Sequence, residues 1–213
     1  VNVQTPTLAG YVPGFKILST SENNDSGQLT VETVILDEVP GFDALFPLYE
    51  TEWKTRSKQG LEPLWNRDIL NSENYREYTN WHLKELSRLR FIPREWPEDL
   101  RSLLPQLSGF DLVTLSILSQ NGSDQLIYDE GSQNSNALQN LRRSAEWISA
   151  MGEAERLLEE AQFSKAELEK WYGSELSVDF YRLRNAGSFA FRDIETRRME
   201  AYRFLRDRFH KNR

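Results

Sequence analysis

The sequence predicts an α+β protein, predominantly α-helical: a helical domain with a small N-terminal β-hairpin and an extended N-terminal arm. Three observations predict it. Two β-branched runs, Phe15–Thr20 and Leu29–Val39, flank a polar loop that contains Gly27. Beyond Gly41, apolar residues recur every three or four positions instead of every two. The first fourteen residues hold two prolines, two glycines and no charge, and they sustain neither period.

Residues 1–14 therefore read as an arm, and residues 15–213 as one α-rich domain with its hairpin at about 15–39 and its helices at about 42–210. An uncharged arm stays ordered only if its apolar groups, Val3, Leu8, Tyr11 and Val12, lie against their own domain or a neighbouring subunit. In the second strand Leu29, Val31, Thr33 and Ile35 alternate with Thr30 and Glu32. Val34 and Leu36 then make the strand apolar on both faces, so its end is predicted to be covered on two sides. An isolated two-stranded hairpin is marginal in water, so this one must pack on helices or gain strands elsewhere.

Phe42, Leu45, Phe46, Tyr49 and Trp53 predict a helix over 42–58 that ends near Gly60. Ser72 is the expected cap of a helix over 73–90, with Tyr75, Tyr78, His82, Leu83, Leu86 and Leu89 as its stripe. Pro97 followed by Glu98 and Asp99 starts a short helix that ends before Pro105, with acids facing its dipole. Ser108-Gly109-Phe110-Asp111 fits a capping box and Asn121-Gly122 a stop, which favours helix over 109–120, with strand as the alternative. Residues 119–135 read as loop, with room for a short strand at 125–128.

The last third is helical by period. Leu138, Leu141, Ala145, Ile148 and Met151 form a helix broken or bent near Gly152, and Leu157, Leu158 and Ala161 continue it. Ser164 caps a short helix ending at Gly173, and 179–184 makes another. Ser188 is the expected cap of the last, 190–210, with Ile194, Ala201, Tyr202, Leu205 and Phe209 as its stripe.

A chain of 213 residues can bury about 70% of its unfolded surface, so a core needs no staple. The absence of cysteine excludes disulfides, Cys-ligated metal, iron–sulfur clusters and thiol nucleophiles. No run approaches about 18 apolar residues, so no transmembrane segment is predicted. The chain opens on Val1 with no signal peptide, which points to a processed or truncated start, and nothing specifies a compartment. A formal charge of −7 weighs against nucleic-acid binding. That average hides a gradient. Residues 1–40 carry one Lys and five acids, net −4, whereas residues 176–213 carry ten Lys+Arg and five acids, net +5.

Catalytic patterns are lacking. His82 has Glu85 three residues on, but further ligands cannot be named, and His210 lies in the basic C-terminus. No Gly-x-Ser-x-Gly elbow and no phosphate-cradling glycine loop occurs. The Glu22–Gly27 loop would put Thr33 where a calcium loop needs glutamate. The acids of 150–170 read as a solvated helix face, so no cofactor or metal is implied.

The closing helix is sharper. Arg192, Arg197, Arg198, Arg203, Arg206, Arg208, Lys211 and Arg213 sit among four acids, and Arg outnumbers Lys seven to one, which suits planar contact with carboxylates. Part of that pattern is plain helix stabilisation, through Asp193→Arg197 and Asp207→Lys211 pairs. Six tryptophans add interface-type residues, although core filling is their ordinary use. The first expectation is thus a non-catalytic structural or interaction subunit of a larger assembly, binding other protein subunits, of the same or a different chain. Its docking residues would be Val3, Leu8, Tyr11, Arg192, Arg198, Arg203 and Arg206. The alternatives are a carboxylate-dependent hydrolase with an aromatic-lined cleft, recognisable by converging carboxylates of raised pKa, and a regulator binding one acidic protein through 190–213.

Overall fold

The computed structural model describes residues 8, 10–23, 26–61, 65–120 and 137–210. Two antiparallel strands come first, β1 (Gly14–Asn23) and β2 (Ser26–Ile35), and among the described residues the elements that follow are helices. These are α1 (Phe46–Lys58), α2 (Tyr75–Leu86), α3 (Ile92–Glu95), α4 (Glu98–Leu103) and α5 (Gly109–Gln120). After them come α6 (Ala137–Arg143), α7 (Ala145–Glu160), α8 (Lys165–Leu168), α9 (Gly173–Ala186) and α10 (Thr196–His210). The fold is a predominantly helical α+β one with an N-terminal hairpin, as its periodicities require. Among the described residues no helix is long and apolar enough to cross a membrane.

Packing sorts the chain into two compact units where the sequence suggested an arm and one domain: Val1–Arg90 with Tyr181–Asp193, and Phe91–Phe180 with Ile194–Arg213. The second unit holds a continuous apolar core. Helix α5 is buried over most of its surface, with Phe110, Val113, Ile117 and Leu118 inside together with Thr114 and Ser116, and Leu112 and Leu115 half-buried. Those two hydroxyls bond to the Phe110 and Val113 carbonyls, so their burial leaves no donor unpaired. Helix α7 offers Trp147, Ala150, Ala154 and Leu158 at helical spacing, and α10 offers Ala201 and Leu205.

The first unit is built differently. Its buried apolar residues are Tyr11, Val12, Ile69, Leu83, Tyr181 and Ala190, against eighteen in the second unit, among the described residues. Much of its cohesion comes from rings. Phe42, Phe46, Tyr75, Tyr78 and His82 form a chain of contacts with centroids 5.7–6.3 Å apart, each pair adding to simple burial. Partly exposed ion pairs, Arg76 with Asp193 and Arg192 with Asp37, add to it.

Several boundaries differ from expectation, each for a local reason. The strands run further into the loop and stop at Ile35; the last bond of the ladder is Leu36 N–H to the Pro13 carbonyl at 2.9 Å, which Pro13 cannot return. Helix α1 begins at Phe46, after turns 40–45 in which Gly41 sits at φ +73°, with Pro47 in its first turn. The cap of α2 is Asn74, whose side chain accepts the Glu77 N–H at 2.9 Å, while the Ser72 hydroxyl goes to the Ile69 carbonyl. The helix predicted to break near Gly152 breaks at Ser144, which caps α7 by accepting the Trp147 N–H. Gly173 starts a helix where the sequence placed an end, and the last helix starts at Thr196 after a 3-10 turn over Gly187–Asp193. The segment left between helix and strand, 109–120, is helix α5. The candidate strand at 125–128 lies outside the described residues.

Candidate functional site

Two carboxylates, Asp179 fully buried and Asp193 with its side chain 8% exposed, take up two of the seven expected docking residues. In the first unit Asp193 accepts from the Tyr11 hydroxyl at 2.8 Å and from Arg76 Nε and Nη2 at 3.0 and 2.6 Å. Tyr11 is 8% exposed, and burial with its bond to Asp193 pushes its hydroxyl pKa well up. The guanidinium of Arg192 pairs with Asp37 in the same unit. In the second unit Asp179, 0% exposed, receives Arg198 Nε at 2.7 Å and the Tyr202 hydroxyl at 2.8 Å on one oxygen. Tyr202 also packs edge-on against Trp171, and burial with the Asp179 charge raises its pKa strongly.

Tyr11 and Arg198 therefore leave the candidate docking set, because their own units enclose them. Leu8 remains, 60% exposed, with its carbonyl accepting from the Tyr75 hydroxyl. Arg203 is exposed, and Arg206 is exposed and bonded to neighbouring Asp207. Val3 lies outside the described residues.

A small cavity in the second unit, about 70 Å³, is lined by Phe163, Glu167, Lys170, Trp171, Glu195 and Arg197 among others. It has the aromatic wall and the carboxylates that a hydrolase reading asks for. Its chemistry runs the other way. Bonds from Arg197 and from the Ser164 backbone and hydroxyl hold the Glu167 carboxyl down at about 2, where a general acid needs it raised. The stabilisation from these contacts is complete above the ordinary carboxylate value of 4.5 and fades as pH falls toward about 2. A carbon-detected NMR titration is expected to place the Glu167 midpoint near 2, and higher in Arg197→Gln though still below 4.5, because the Ser164 bonds remain. An unmoved midpoint in that variant would remove Arg197 as the cause. His82, the other chemical candidate, stacks on Tyr78, and Glu85 serves the Asn66 N–H and Arg88 instead.

The feature left without a use inside the fold is the hairpin. Among the described residues the sheet has only β1 and β2, registered Phe15 to Val34, Leu18 to Val31 and Thr20 to Leu29. Phe15, Ile17, Leu18, Leu29 and Val31 are all exposed, Leu18 by 56%. Alternation puts Phe15 and Ile17 on one face and Leu18, Leu29 and Val31 on the other, so both faces are apolar and open. Only the base is covered, with Gly14 buried and Thr33–Leu36 half-buried. The first unit as a whole exposes twelve large apolar side chains, the second four, among the described residues.

The signal that finds this surface was in the sequence: a marginal hairpin with apolar residues at both parities of β1, Phe15 and Ile17 against Leu18. Arginine density and the uncharged arm drew attention elsewhere. No protein-family model, curated protein or solved structure matches this chain.

Proposed function

We propose that the chain is a non-catalytic interaction subunit of a larger protein assembly, and that its docking surface is the β1–β2 hairpin. The observation that carries this reading is the open, two-faced apolar hairpin, part of a unit that, among the described residues, exposes more large apolar side chains than it buries. Contiguous exposed apolar surface of this kind marks interaction sites in soluble proteins. The arginine-rich closing helix supports an interaction role less, since Arg192, Arg197, Arg198 and Arg206 have carboxylate partners within their own units. The regulator reading loses weight for the same reason.

The test separates surface kept for a partner from surface used in folding. Replacing Leu18, Leu29 and Val31 together by threonine keeps β propensity and removes apolar area. The variant is expected to retain its thermal midpoint, with no site costing more than about 0.5 kcal/mol, as for exposed positions. It is also expected to lose most of the fluorescence of an apolar dye bound by the parent chain. A large fall in midpoint, or a parent chain that binds no dye at the hairpin, would remove the proposal.

A further inference from the structure

The ladder of the hairpin shows which of its backbone groups β1 and β2 do not use on each other. Since the Leu36 N–H bonds to the Pro13 carbonyl and the register is fixed, the odd residues of β1 and the even residues of β2 bond to each other. The even residues of β1 and the odd residues of β2 then turn their N–H and C=O groups outward. The two outer edges differ in chemistry. Along β1 the outward positions include Lys16 and Glu22, charges of the kind that guard an edge. Along β2 they are Gly27, Leu29, Val31, Thr33 and Ile35, with no charge and no proline. Glu32 is the one charge on β2, and it belongs to the set that bonds to β1. An edge exposed over 27–32, about 20 Å of strand whose outward positions carry no charge, is a template for another strand.

Resting on the hairpin as docking surface, we propose that the strand it takes is β2 of a second copy, paired antiparallel about a twofold axis to give a sheet ordered β1-β2-β2-β1. A twofold contact sets identical surfaces against each other, so it tolerates no charge that would meet itself. The β2 edge meets that condition. Centred on Val31, the pairing sets Leu29 against Thr33 and Glu32 against Thr30, and Lys16 and Glu22 lie on the outer strands. The closing helix fails the same condition, because a self-contact there would set arginines against arginines.

Sedimentation of the full chain over a concentration series tests this. The expected species has twice the 24.9 kDa chain mass. The Val31→Pro variant removes one outward N–H, leaves the hairpin's own ladder whole, and is expected to restore the single-chain mass. Thr20→Pro does the same on the guarded β1 edge and is expected to leave the pair intact. Leu29→Lys serves as a second block should the proline disturb the hairpin, which circular dichroism and the thermal midpoint report. Amides of Leu29, Val31 and Thr33 are expected to exchange about tenfold more slowly in the paired species than in Leu29→Lys. A chain of single mass at every concentration overturns self-pairing, as does a pair untouched by both β2 substitutions. If the single-mass chain still binds apolar dye at the hairpin, the docking reading survives with an extended segment of a different protein as occupant. If it binds none, both fall.

Discussion

Asp179→Ala is expected to destabilise the second unit by about 3–5 kcal/mol, measured by urea unfolding, with a shift in midpoint at constant slope. Asp179 is fully buried and its Oδ2 takes both Arg198 Nε and the Tyr202 hydroxyl, so alanine strands a guanidinium and a phenol together. The loss reflects the abandoned charge more than the worth of the pair. Two further variants separate these contributions. Tyr202→Phe removes one neutral donor and is expected to cost about 1 kcal/mol. Asp179→Leu combined with Arg198→Met replaces the pair by apolar groups and is expected to recover most of the stability lost by Asp179→Ala. A cost below about 1 kcal/mol for Asp179→Ala would mean that water or another group satisfies Arg198 at no penalty.

The second large effect is Gly173→Ala, expected to cost about 3 kcal/mol although alanine is the better helix former. A Cβ at Gly173 would lie 2.3 Å from the Leu104 carbonyl oxygen and 2.5 Å from its Cγ, contacts that real structures do not show. The closeness is part of a crossed link between two helix starts. Gly173 N–H donates to the Leu107 carbonyl and Gly109 N–H to the Trp171 carbonyl, both at 2.9 Å, around the Ser108–Tyr172 bridge. Gly109→Ala meets the Trp171 ring at 2.3 Å and is expected to behave alike. Gly152, inside α7 with open space at its Cβ, is the control: Gly152→Ala is expected to stabilise by about 0.5–1 kcal/mol. The unfolding midpoints of the three variants decide it. A neutral Gly173→Ala would show that the two segments part easily.

Local rules read much of the chain correctly where the information was local. Pro97 and the acids after it start α4, Ser164 with Glu167 forms a full capping box at α8, and the alternation around Val31 makes a strand. They failed where a distant group chose between two permitted outcomes. Gly173 reads as a helix stop by its conformational freedom, but Leu104, some seventy residues earlier, makes it a start that only glycine fits. Gly152 reads as a break, yet nothing nearby exploits it, and Ser144 caps instead.

The same division holds for the candidate site. Arginine content flagged the closing helix as adhesive, and residue type by itself supports that. Whether a guanidinium faces outward depends on where the carboxylates lie. Asp179 and Asp193 draw in Arg198 and Tyr11, the latter from 182 positions away.

By itself the sequence determined the helical class, the hairpin, the lack of thiol chemistry and the opposite charge of the two ends. Each follows from composition or from periods shorter than ten residues. Tertiary structure decided the two-unit packing, the close approaches at Gly109 and Gly173, and which apolar surface stays open. Those outcomes rest on steric exclusion and desolvation between residues far apart in the chain, quantities that no local pattern contains.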